Sequence, residues 1–201
     1  MDAERWTVDF WLDPACPLTW LTARWIRAVA EHRPLEVRWR TMSLSILNED
    51  KEVDPEGDED GYLWIPARIC AAVQTEHGHE AVGSFHRALW TTPEGDTREW
   101  IDDPKQALAR AGLPQHLAEA GWDADSDHAL RSSHEEAMRS VEGDVGTPVL
   151  ALTGPQPTGR EPRRAFFGPV VDTAPDQRDA LRLWEGVLLL SGVPNFRELK
   201  R

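Results

Sequence analysis

Residues 7–12, Thr-Val-Asp-Phe-Trp-Leu, alternate and end in apolar and aromatic side chains, the pattern of a strand. Asp13, Pro14 and Pro17 interrupt it. From Pro17 to about residue 31 the apolar positions Trp20, Leu21, Trp25, Ala28 and Val29 recur every three or four residues, which predicts a helix. Pro17 falls in its first turn, where a missing N–H costs nothing. Pro34 closes that helix, and 35–40, Leu-Glu-Val-Arg-Trp-Arg, alternates apolar with charged as a half-buried strand does. A strand, a helix and a second strand joined by a right-handed crossover are the expectation.

Beyond Ser45 the pattern changes. Residues 48–61 are dominated by Asp and Glu and offer almost nothing to bury, so they predict a solvated loop. The stretch 62–143 then carries only helical signals. Pro66 precedes Ile69, Ala72 and Val73; Val82, Phe85 and Leu89 follow Gly78; Asp103-Pro104 opens a segment through Leu108 to Gly112; and Asp125 or Ser126 caps a helix bearing Leu130, Ala137, Met138 and Val141. Residues 149–152 and 164–167 read as a hairpin around the proline-rich turn 154–162, and 176–190 as a closing amphipathic helix through Ala180, Leu183, Trp184, Val187 and Leu188. The order β, α, β, helical block, β, β, α is that of an α/β thioredoxin fold with an inserted all-helical domain. The expected division is 1–45 and 144–201 for the thioredoxin-fold domain and 60–143 for the insertion. With only two connections between them, the insertion is expected to move and gate a cleft.

A chain of 201 residues can bury a core of this kind. Acidic side chains outnumber basic ones by 35 to 22, giving a net charge of -13, and no cluster of Lys and Arg rises from that background, which argues against nucleic acid as a partner. The opening Met-Asp-Ala-Glu-Arg has neither a basic leader nor an apolar run of membrane length, so the expectation is a soluble, cytoplasmic protein with no membrane partner. Two distant cysteines make no disulfide framework, and a reducing compartment would keep them as thiols. Ten tryptophans against one tyrosine suit a core or an aromatic pocket equally.

Candidate chemistry centres on Cys16-Pro17-Leu18-Thr19, where the first strand gives way to the first helix. Helix N-termini carry partial positive charge and unpaired N–H groups, so a thiolate there is stabilised, and Cys16 is expected to titrate below the free value of about 8.5. Thr19 stands where a second Cys would complete C-x-x-C. Its hydroxyl can donate to the thiolate but cannot form a disulfide with it. Cys70, beside Ile69 and Ala71-Ala72, reads as a core residue. His77-Gly-His79 with His86 lacks the positioned ligands a tight metal site needs. Tyr62, Trp64, Phe85 and Trp90 are candidates for lining a cleft, with ordinary packing as the competing reading.

The run Asp9-Phe10-Trp11-Leu12-Asp13-Pro14-Ala15-Cys16-Pro17-Leu18-Thr19-Trp20 resembles the opening of DsbA-family proteins allied to mycothiol-dependent nitroreductases. Val145-Gly146-Thr147-Pro148 is similar to the loop that presents a cis-proline opposite the reactive Cys in that fold, and Phe167-Gly168-Pro169 to the segment after its fourth strand. The resemblance covers about residues 5–45 and 140–190. Mycobacterial-type members carry C-P-W-C; this chain departs at Leu18 and Thr19, which keeps the nucleophile and removes self-contained disulfide chemistry. The resemblance implies a DsbA-like fold, a cis Thr147–Pro148 bond, and a Thr147 backbone edge able to pair with an extended thiol or substrate. Cys16 and Thr19 are then the catalytic candidates, and Pro17, Trp20, Thr147 and Pro148 the binding candidates, with no metal. The expected activity is thiol-dependent oxidoreductase or transferase chemistry. In it, Cys16 exchanges with a low-molecular-weight thiol, mycothiol first, in a monothiol cycle, acting on nitroaromatic or other electrophilic small molecules. The cognate thiol must resolve the intermediate, because Thr19 cannot. A homodimer is left open. Two alternatives remain: a thiol-dependent isomerase resembling 2-hydroxychromene-2-carboxylate isomerase and kappa-class glutathione transferases, and a non-catalytic interaction protein that kept the fold.

Overall fold

The computed structural model describes residues 5–143, 145–154, 164–193 and 196. Strand β1 (Trp6–Leu12) is followed by helix α1 (Pro17–Ala30) and strand β2 (Leu35–Thr41), which pairs parallel to β1 with Trp6 opposite Leu35 and Leu12 opposite Thr41. Strand β3 (Val149–Thr153) runs antiparallel on the other side of β1, and β4 (Arg164–Phe167) antiparallel to β3, giving the sheet order β2-β1-β3-β4. Between β2 and β3 lie α2 (Leu44–Asn48), α3 (Trp64–Trp90), α4 (Pro104–Arg110), a 3-10 segment (Gln115–Trp122) and α5 (Asp127–Ser140); α6 (Gln177–Ser191) closes the fold. The turn read at 154–162 lies, beyond Gly154, outside the described residues.

Alternation along the central strands sends two sets of side chains to two covered faces. Val8, Phe10, Leu12, Leu150 and Leu152 join the main core with α1, α3, α4 and α6. Trp11, Val149 and Ala151 pack on the opposite face with Met42 and with Ala137 of α5. The central strand β1 is therefore buried on both sides over Val8–Leu12. Helix α1 likewise buries Thr19, Trp20, Thr22, Ala23, Trp25, Ile26 and Val29, a wider band than one stripe, because the sheet, α3 and α6 all contact it.

The helices between β2 and β3 share this core. Ile69, Val73, Val82, Phe85 and Leu89 of α3, Leu108 of α4 and Leu117 belong to the same buried cluster as Val8, Phe10 and Ile26. Helix α3 runs past a kink at Gly78, where φ is 79°, a left-handed conformation that glycine adopts without penalty. Gly83 serves a different purpose. A Cβ there would lie 2.8 Å from Trp39 Cγ and closer to Cδ1 and Nε1, so only glycine lets α3 approach the β2 indole. The acidic loop is organised rather than merely solvated: Asp54 accepts from the N–H groups of Glu56 and Asp58, and Asp58 from those of Tyr62 and Leu63, leading the chain into α3. The short α2 and the 3-10 segment, five and eight residues long, were not among the expected elements.

Candidate active site

Cys16 forms the N-cap of α1, with φ -77° and ψ 117°, and Pro17 occupies the first helical position. The preceding turn is built on Asp13. This carboxylate is 1% exposed; its Oδ1 accepts from the Ala15 N–H at 2.8 Å and its Oδ2 from the Leu44 N–H at 2.8 Å. The Cys16 N–H donates to the Asp13 carbonyl at 3.3 Å, and the Cys16 carbonyl accepts from the Trp20 N–H at 3.1 Å. Two further segments clamp the same turn. Trp90 Nε1 donates to the Pro14 carbonyl at 2.9 Å, and Thr147 Oγ1 accepts from the Asp13 N–H at 3.1 Å.

Thr19 is fully buried, and its hydroxyl donates to Thr147 Oγ1 at 3.0 Å. The two threonines of the expected site thus meet directly, one turn into α1 and one residue before Pro148. The Thr147–Pro148 bond is cis, and so is Gly168–Pro169, which was not anticipated. That second segment is tied to the site: the Gly168 N–H donates to the Pro148 carbonyl at 2.8 Å, and the Thr22 hydroxyl to the Pro169 carbonyl at 2.9 Å. Pro17 and Leu18 are exposed and rim the half-buried Cys16. Trp20 points away from them into the core, stacked on Trp90 at 6.1 Å and edge-on to His86 at 5.6 Å. Of the aromatic cleft candidates, Phe85 and Trp90 are core residues, Trp64 lies under the guanidinium groups of Arg68 and Arg131, and Tyr62 is exposed.

The expectation that Cys16 titrates low is corrected by the structure. Burial pushes its thiol above the ordinary value, and the nearby Asp13 carboxylate adds to the rise. The Thr19 hydroxyl and N–H and the Leu18 N–H pull the other way, as a helix start should, but do not prevail. Asp13 is itself raised, from 3.8 to about 6, because burial outweighs the N–H groups of Leu44 and Ala15 that favour its anion. Cys70 is fully buried and its thiol is pushed up to about 12 by desolvation, which makes it inert near neutral pH. Among the described residues no group of three or more His, Cys, Asp or Glu side chains could hold a metal ion. Sequence reasoning missed Asp13, taking it for turn punctuation; the signal was an Asp directly following an aromatic, wholly apolar strand end, where a carboxylate is buried unless the chain leaves the core at once.

The chain matches, over residues 15–201, the family model described as Rv2466c-like, mycothiol-dependent nitroreductase Rv2466c. It is 28% identical over 206 residues to "Uncharacterized protein Rv2286c" of Mycobacterium tuberculosis, across 97% of this chain and 81% of that protein. The structure is similar to the cytosolic disulfide reductase DsbM from Pseudomonas aeruginosa with GSH, at 22% identity and a TM-score of 0.50, covering 91% of this chain and 99% of that one. It is also similar to 2-hydroxychromene-2-carboxylate isomerase, at 15% identity and a TM-score of 0.50, covering 92% and 97%. These two likenesses are of fold, and the fold is a thioredoxin fold of the DsbA type.

Proposed function

Because the chain belongs to the Rv2466c-like family of mycothiol-dependent nitroreductases and is a thiol oxidoreductase of thioredoxin fold, we propose that it works by a monothiol cycle on Cys16 with a low-molecular-weight thiol, mycothiol first. The observation that carries this reading is the Cys16–Thr19 pair at the start of α1: one partly accessible thiol, a buried hydroxyl in place of a second sulfur, and the other cysteine sealed in the core. In the cycle, the Cys16 thiolate attacks one sulfur of a disulfide, forming a mixed disulfide and expelling the other sulfur as a thiolate. A free thiol, as its thiolate, then attacks the mixed disulfide and releases Cys16. The N–H groups at the helix start stabilise the Cys16 thiolate whenever it forms, and the Thr19 hydroxyl adds to this by turning its one proton from Thr147 to the sulfur. With a nitroaromatic acceptor, each two-electron step to the nitroso compound consumes two thiols and yields one disulfide and one water. A reducing cytoplasm suits such a cycle, and among the described residues no helix is long and apolar enough to cross a membrane.

A second reading rests on the Thr19–Thr147 hydroxyl pair, which suits a cradle for the sulfur of a bound thiol cofactor in an isomerisation without net redox change. Accumulation of oxidised thiol during turnover separates the two readings. The direct test of the first is oxidation with a small disulfide followed by mass spectrometry. The expected product is a persistent mixed disulfide on Cys16, absent in Cys16→Ser, with Cys70 unmodified. A Cys16–Cys70 disulfide, or an adduct chiefly on Cys70, refutes the monothiol cycle.

A further inference from the structure

Away from Cys16, α1 and the second half of α3 flank an open groove of about 430 Å³. Its walls are Arg27, Ala30 and Glu31 on one side and Glu80, Gly83, Ser84 and Arg87 on the other, and Val37 and Trp39 of β2 form its floor. Arg27 lies eleven residues after Cys16, about 16 Å along the helix at 1.5 Å per residue, so the groove is separate from the candidate active site.

The charges in this groove are unspent. A guanidinium has five N–H donors, and Arg27 uses one contact, from Nη2 to the Gly83 carbonyl at 2.8 Å. Its Nη1 is shut off from solvent and has no hydrogen-bond partner among the described residues. The guanidinium lies 4.1 Å from the centre of the Trp39 ring and 5.6 Å from that of Trp20, and Gly83 is the glycine that makes room for that indole. None of Arg27, Glu31, Glu80 and Arg87 forms an ion pair with another described residue. A buried cation held without a counter-ion is costly, and here burial and the neighbouring Arg87 charge push Arg27 down to about 9. Two cations and two anions therefore line one pocket without neutralising each other, over an apolar floor.

We propose that this groove is a ligand site for a small zwitterion of the amino-acid type. The carboxylate pairs with the exposed Arg87 guanidinium in the field of the buried Arg27 charge, the ammonium takes Glu31 and Glu80, and a short aliphatic side chain rests against Trp39, Val37 and Ala30. The acidic pair discriminates against phosphate and other multivalent anions, which a site made of the two arginines alone would favour.

L-Alanine is the probe, with acetate and inorganic phosphate as comparisons, titrated against the full chain while the Trp39 indole N–H is followed by NMR and identified with Trp39→Phe. L-Alanine is expected to shift that signal saturably and to bind more tightly than either comparison. Arg87 and Glu80 are both solvent-exposed, so substitutions there leave the fold intact. Arg87→Ala should weaken L-alanine about tenfold or more, the loss of a charge-assisted contact, and Glu80→Gln should weaken L-alanine while leaving acetate unchanged. Cys16→Ser should leave the titration unaltered, which separates this site from the thiol chemistry. No saturable shift, phosphate binding at least as tightly as L-alanine, or affinity indifferent to both substitutions overturns the proposal.

Discussion

Replacing Asp13 by Asn tests the electrostatics of the Cys16 turn most directly. With its carboxyl raised from 3.8 to about 6, ionised Asp13 in the folded protein costs about 3 kcal/mol at 1.36 kcal/mol per pH unit. Asn keeps an oxygen for the Ala15 N–H but turns an NH2 toward the Leu44 N–H, and losing that buried hydrogen bond costs about 1–3 kcal/mol. Near neutral pH the two effects oppose each other, so the variant should be as stable as the wild type or up to about 2 kcal/mol more stable. The sign then changes with acid. A raised carboxyl contributes stability that is fully present below 3.8 and is lost as pH rises through about 6. Denaturant unfolding at a series of pH values should therefore show the wild type gaining about 3 kcal/mol on the variant between those limits, with His86 cancelling because it titrates in both. Alkylation of Cys16 by iodoacetamide gives a second readout. Without the neighbouring negative charge the thiol pKa falls, and the rate profile shifts to lower pH. Parallel stability curves would show that folding does not raise the Asp13 carboxyl, and an unchanged alkylation profile that its charge does not act on Cys16.

Thr19→Val removes the hydroxyl that donates to Thr147 and favours the Cys16 anion, so Cys16 alkylation near neutral pH should slow about fivefold, the equivalent of one hydrogen bond; an unchanged rate would deny Thr19 that role. Gly83→Ala drives a Cβ into the Trp39 indole and should lower stability by about 1–3 kcal/mol in thermal unfolding, although helix propensity alone favours Ala. An unchanged Tm would mean the indole has room to move. His86 is fully buried, and burial together with Arg27 holds its imidazole well below 6.5. Its contribution is present above 6.5 and lost as pH falls, so His86→Leu should flatten the acid limb of the stability profile, and an unaltered limb would contradict this.

What the sequence revealed and what it hid divide along physical lines. Strands and long helices were legible because their periods repeat: Phe10, Trp11 and Leu12 announced β1, and Trp20, Trp25 and Val29 announced α1. Cys16 was legible because Pro14 and Pro17 bracket it at a strand-to-helix junction, and the Thr147–Pro148 bond through the resemblance of its loop. The short α2 and the 3-10 segment repeat no period long enough to register. His86, set aside as a metal ligand, and Arg27 carry no sign of their environment in the sequence, and only packing of α1 against α3 reveals the imidazole as buried and the guanidinium as held over Trp39. The Cys16 thiol was misjudged for a related reason. Its helix-end donors can be inferred from sequence, whereas the burial that overrides them is a property of the folded structure.

That distance has a consequence for the chain as it is made. The contacts from Thr147 to Asp13 and Thr19 span 134 and 128 residues, so during synthesis the Cys16 turn emerges long before the residue that clamps it on both sides. Until the segment before β3 docks, the Asp13 N–H and the Thr19 hydroxyl lack the Thr147 oxygen that accepts from both. Completion of the Cys16 turn is thus tied to non-local pairing, which is the slow part of folding.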